Sequence, residues 1–191
     1  EWGQAVPAAC GPDQRSSGTV DPTSFDGVFY ALHDETTLYL AFRAADDQVD
    51  CRDQTTPDFM NSDYLRLYLS AIDPDGRSDT ALSPKDLVLA VSVLGKGDRP
   101  AVRVPPYAAG TPPGFRLENC SFAARRNESG YTFEAAIPLS GVGSGLGTGS
   151  ILGANVLVGD ADGGRRVGEM CLGRFLPDYW LSPRSYFRLA L

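Results

Sequence analysis

A chain of 191 residues has room for one large β domain or two small ones, and a single domain of that size buries a sizeable core. Apolar residues make up 42% of it without a long uninterrupted run, so a membrane-spanning helix is not expected. The formal charge of −7 and the pI near 4.6 argue against nucleic acid, whose phosphates want a basic face, and suit a neutral ligand, a calcium ion or plain solubility.

Residues 1–20 read as an irregular arm rich in glycine and proline, with Trp2-x-x-Ala5 near its start. Residue 1 starts in mid-pattern, as expected if a leader has been removed. Phe25–His33 and Thr37–Ala44 predict a hairpin around the polar turn Asp34-Glu35-Thr36. Leu38, Leu40 and Phe42 alternate against Tyr39 and Ala41, and both faces are largely apolar, which predicts a central strand. A long aspartate-rich loop follows, from Asp46 to Asn61. The next strand runs from Asp63 to Ala71, with Leu65, Leu67 and Leu69 on its core face. Asp86–Val93 and Val102–Val104 predict further strands, and the prolines between Pro105 and Gly114 predict a loop. Phe122–Asn127 and Tyr131–Ile137 form a second hairpin. The glycines between Leu139 and Ser150 exclude a long helix. Ile151–Val158 predicts a strand that stops at the acidic, glycine-rich turn Gly159–Gly164, and Tyr186–Leu191 predicts a closing edge strand. No segment keeps a helical period over twelve residues. Short strands separated by turn signals give an all-β chain, folded as one antiparallel sandwich of the jelly-roll-like type over residues 1–191.

Cys10, Cys51, Cys120 and Cys171 are widely spaced and lack the pairing of a zinc site. Two disulfides in an exported protein are expected, each adding roughly 3–4 kcal/mol on a chain-entropy argument. Four buried thiols in a cytosolic protein are the alternative.

Catalysis finds little support. A glycosidase needs two carboxylates about 5–9.5 Å apart across a cleft, and here the acids lie mainly in turns. His33 is the only histidine, and Gly141-Val-Gly-Ser144-Gly puts its serine out of register for a nucleophile elbow. Calcium fits better, since hard cations take clustered oxygens from loops. The candidate clusters are Asp46-Asp47-x-x-Asp50, Asp73-x-Asp75-Gly76-x-x-Asp79 and Asp160-x-Asp162. The second is not an EF-hand, because its twelfth position is Pro84.

The order of parts resembles the family 9 carbohydrate-binding modules and the wider sandwich superfamily that includes DOMON domains. The matching parts are Thr37-Leu-Tyr-Leu-Ala-Phe-Arg43 with the aspartates after it, Gly130-Tyr-Thr-Phe-Glu-Ala-Ala-Ile-Pro-Leu139, and Ile151–Arg166. Trp2, Asp34, Leu38-Tyr39 and Asp46 fall on the family's pattern. The resemblance implies a β-sandwich that binds carbohydrate without catalysis, in a secreted or periplasmic protein. It also implies a structural calcium, with Asp46 the favoured ligand and Asp47 beside it.

Related sugar-end-binding modules grip their ligand between two tryptophans, whose matching positions here are Met60 and Leu172. The contact those modules make through a glutamate falls at Arg66. Tyr179, Trp180 and Tyr107 are candidate replacements for the aromatics, and Arg77, Arg99 and Asn155 for the polar contacts. The missing clamp also fits a protein-interaction module that kept only the scaffold. Haem-binding members of the superfamily use a methionine with a histidine or lysine. Met60, Met170, His33, Lys85 and Lys96 are present, but no spacing picks a pair, so haem is not expected.

Overall fold

The central strands carry rows of large apolar side chains, and the rows from two sheets meet in the middle. The computed structural model describes residues 2–5, 7–10, 15–18, 25–51, 61–94, 99–173 and 181–191. All pairings in both sheets are antiparallel. The first sheet contains β1 (Ala8–Cys10), β3 (Phe25–His33), β4 (Thr37–Asp46), β9 (Gly130–Pro138) and β8 (Ser121–Asn127), in that spatial order. The second contains β2 (Arg15–Gly18), β11 (Arg165–Cys171), β10 (Ile151–Asp162), β5 (Tyr64–Ser70), β6 (Asp86–Ser92) and β7 (Ala101–Arg103). A last strand, β12 (Phe187–Ala190), pairs with the first residues of β10. One short helix, α1 (Leu139–Val142), follows β9.

β4 lies in the middle of the first sheet, as its two apolar faces predict. Phe25, Phe29, Leu38, Leu40, Phe42 and Phe133 from this sheet pack with Leu65, Leu67, Leu69, Leu87, Leu89 and Val156 from the other. Burying each such side chain stabilises the fold by about 1.5–3 kcal/mol. The β3–β4 turn is closed by the Asp34 carboxylate, which accepts the N–H groups of Thr36 and Thr37 at 2.8 Å each. These donors, Thr36 first, hold the acid down at about 2. Among the described residues, no helix is long and apolar enough to cross a membrane.

Three expectations need correction. The strand starting at Ile151 does not stop at Gly159 but continues to Asp162, through a shift of register between Asp160 and Ala161. Only Gly163 and Gly164, with φ of 56° and 80°, form the turn. The sequence Arg165–Cys171 is then a full strand, unpredicted because its charges and glycine hide the alternation. Gly159 itself is required by packing rather than by a turn. A Cβ there would lie 2.0 Å from the Tyr64 ring.

The N-terminal arm is also not wholly irregular, since β1 extends the first sheet and β2 the second. Finally, the two expected disulfides are not formed among the described residues, where Cys51, Cys120 and Cys171 are free thiols. Cys171 is buried against Asn155 Oδ1 and the Gly173 carbonyl, and burial pushes it up to about 11.

Candidate functional site

Two features stand out, a carboxylate cluster joining the sheets and a cleft at the rim of the second sheet. The cluster comes from three strand ends. Asp46 is the last residue of β4, Asp63 immediately precedes β5, and Asp160 lies at the register shift of β10. All three are buried, and one carboxylate oxygen from each lies within 4.8 Å of the others. Asp63 accepts the Asp50 N–H at 2.6 Å and the Ala161 N–H at 3.0 Å. Asp46 Oδ1 accepts the Gln48 N–H at 2.9 Å. Asp46 Oδ2 and Asp160 Oδ2 are buried without a hydrogen-bond partner among the described residues.

Burial raises all three acids, and their mutual repulsion adds to it. Asp63 is pushed up to about 9 and Asp160 to about 7, with Asp46 also raised. Like charges this close in a poorly solvated site repel strongly unless a cation or protons neutralise them. The donor set, hard oxygens from three strand ends with two oxygens unsatisfied, fits a calcium ion. Asp47, expected beside Asp46, is not in the group. It lies just past the end of β4 and is exposed to solvent, and Asp63 and Asp160 complete the group instead. Asp160 belonged to a separate candidate cluster in the sequence. Pairing of β10 with β5 brings it beside Asp63, and the approach of the two sheets brings both to Asp46.

The outer face of the second sheet is lined by Tyr64, Arg66 and Tyr68 of β5, paired with Gly159, Leu157 and Asn155 of β10. The Arg66 guanidinium sits 5.0 Å from the Tyr64 ring centre and 5.6 Å from that of Tyr107. Tyr64 donates its hydroxyl to the buried Glu169, which also faces Arg166 at 3.7 Å. Arg66 is only 4% exposed, so it holds the tyrosines together rather than offering an open contact.

Two other candidates are likewise engaged within the fold. Arg77 makes a two-pronged bond to Asp86, at 2.5 and 2.7 Å, with both side chains buried. Asn155 accepts the Gly173 N–H at 2.8 Å and donates to Ser185 Oγ at 3.0 Å, tying β10 to the chain just after β11 and to the turn just before β12. Met60, Tyr179 and Trp180 lie outside the described residues.

Leu172 is placed differently. It lines a cleft of about 450 Å³ together with Pro74, Asp75, Gly173, Arg184, Tyr186, Phe187 and Arg188. That volume falls within the usual range for small-molecule sites, about 300–1,000 Å³. Arg188 is held by Asp73 at 2.9 Å and Asp75 at 3.0 Å. Arg184 is exposed. Tyr186 is 4% exposed, and its hydroxyl is buried with no hydrogen-bond partner among the described residues. Its ring packs 6.0 Å from that of Tyr68 and 5.8 Å from the Arg77 guanidinium. Sequence reasoning placed Tyr186 on an edge strand and missed it as a site residue, because the proline at 183 and the short turn before β12 set its direction.

Of the residues raised for haem, Met170 is part of the apolar core, and His33 borders a small apolar recess with Leu189 and Leu191.

Comparison with known proteins agrees with this architecture. The model of the carbohydrate family 9 binding domain-like family matches residues 1–191. A family 9 carbohydrate-binding module from Caldicellulosiruptor kristjanssonii, solved in complex with cellotriose, is similar in fold, with a TM-score of 0.70 and 16% identity over 99% of this chain and 83% of that one. The same description with glucose bound gives a TM-score of 0.70 and 17% identity, over 99% of this chain and 85% of that one. No curated protein matches the chain.

Proposed function

We infer that this chain, which belongs to the carbohydrate family 9 binding domain-like family, is a carbohydrate-binding module whose sugar sits in the cleft beside Leu172. The observation that carries the placement is that cleft itself, of about 450 Å³, with the exposed Arg184 in its wall. Pro74, Leu172 and Phe187 offer apolar surface to the C–H faces of a pyranose. Arg184, Arg188 and Asp75 offer planar donors and an acceptor to its hydroxyls. The neighbours of similar fold hold cellotriose and glucose, which makes those sugars the first probes.

The module acts by binding and not by chemistry. Asp75 is the one carboxylate among the described residues lining the cleft, and it is engaged by Arg188, so the cleft has no carboxylate pair for glycoside hydrolysis. A secreted or periplasmic location suits that role.

We further propose that Asp46, Asp63 and Asp160 hold a structural calcium. The ion would neutralise the cluster and pin the end of β4 to β5 and β10, thereby fixing the two sheets to each other. Calorimetric titration with cellotriose tests the sugar reading. Saturable binding that weakens at least about tenfold in Arg184→Ala is expected, the loss of one charge-assisted hydrogen bond. Binding indifferent to Arg184→Ala would move the sugar out of this cleft.

A further inference from the structure

The first sheet has its own recess, on the face turned away from the core. Register places Tyr30 of β3, Ala41 of β4 and Glu134 of β9 side by side across three strands. Arg43 and Thr132 form the neighbouring pair on the same face. Trp2 folds onto this row. Its indole Nε1–H donates to Glu134 Oε1 at 2.7 Å, and its ring centre lies 6.3 Å from that of Tyr30, with the planes tilted by 51°. The tilt leaves a notch rather than a closed stack. A bay of about 200 Å³ results, lined by Trp2, Tyr30, Arg43, Thr132 and Glu134, with the small side chain of Ala41 at its floor.

The chemistry of this bay is specific. Both aromatic side chains are half-buried, so each keeps part of its apolar surface open to whatever enters. Trp2 is pre-oriented by its hydrogen bond, which lowers the ordering cost of a contact with its ring. Glu134 keeps acceptor capacity beyond the one bond it takes from Trp2, since a carboxylate offers about four lone-pair sites. Arg43 adds planar donors and Thr132 a hydroxyl. One cation and one anion balance each other here, which favours an uncharged partner. An apolar wedge edged by a carboxylate, a guanidinium and a hydroxyl matches a pyranose ring, apolar on its C–H faces and rich in hydroxyls at its rim.

We propose that this bay is a second carbohydrate site, taking a neutral pyranose unit of a glycan independently of the cleft at Leu172. A module with sites on two different sheets engages one glycan chain twice or two chains at once, and gains avidity without a new contact at either site.

The chain has two tryptophans, Trp2 and Trp180, so a Trp180→Phe variant leaves Trp2 as the sole indole reporter. Titrating that variant with cellotriose should give a saturable change in Trp2 emission, and the change should persist when Arg184→Ala is added to weaken the cleft. Arg43→Ala with Thr132→Ala should weaken the response at least fivefold while the melting temperature stays within 2 °C of the parent. An unresponsive Trp2 would overturn the proposal. If the parent then still binds one equivalent of sugar by calorimetry, the bay only anchors the N-terminal arm and the cleft reading stands. If no heat is seen either, both readings fail together.

Discussion

Calcium entering the Asp46–Asp63–Asp160 cluster should expel protons, and the number follows from the site. With Asp63 pushed up to about 9 and Asp160 to about 7, the first holds its proton at pH 7 and the second is half protonated. A dication that takes all three as carboxylates therefore releases roughly 1.5 protons, one from Asp63 and a half from Asp160, with raised Asp46 adding to the total. Titrating calcium in two buffers of different ionisation heat reads that number directly. Affinity near pH 7 should rise by about 1.5 orders of magnitude per pH unit.

The same linkage governs stability. An acid whose folded pKa stands above its unfolded value binds its proton more tightly in the native state. In chelator, its stabilising effect is therefore complete below about pH 4 and is lost as pH rises toward 9. The gap between melting temperatures with calcium and with chelator must widen across that window. At a calcium level one hundred times its Kd the gain is about 2.7 kcal/mol, or roughly 5–11 °C for a domain of this size. Asp160→Asn should remove most of it. Equal melting temperatures in calcium and chelator from pH 5 to 9, or binding without proton release, would refute the reasoning.

Other consequences are simpler to check. Gly159→Ala drives a Cβ into the Tyr64 ring and should destabilise the fold by about 1–3 kcal/mol or more, seen as a lower urea midpoint. An unchanged midpoint would mean that Tyr64 does not cover β10. Arg77→Ala strands the buried Asp86 carboxylate and should lose about 3–5 kcal/mol, whereas a joint Arg77→Met and Asp86→Leu replacement should recover most of it. Tyr186→Phe removes an unsatisfied hydroxyl. It should leave stability unchanged or slightly raised, and a clearly lower urea midpoint would mean that the hydroxyl has a partner in the folded state.

Much of the architecture is legible in the sequence because strand alternation is a local property. Leu65, Leu67 and Leu69 announce the core face of β5, and the double apolar faces around Leu38–Phe42 announce the central place of β4. The site is harder to read because it depends on register. Asp46, Asp63 and Asp160 are far apart along the chain, and it takes both the pairing of β10 with β5 and the packing of one sheet on the other to bring their oxygens together. Arg77 and Asn155 look like open polar candidates in sequence, yet Asp86, Ser185 and Gly173 already occupy them. Tyr64, Glu169 and Tyr186 carry no local signal at all, since their role follows from the strands laid beside them.

The most direct measurement is calorimetric titration of the protein with cellotriose in a calcium-containing buffer, run in parallel on Arg184→Ala. Saturable binding is expected in the parent, with affinity at the Leu172 cleft at least about tenfold weaker in the variant and an unchanged melting temperature. No heat in the parent, or identical titrations in the two proteins, would contradict it.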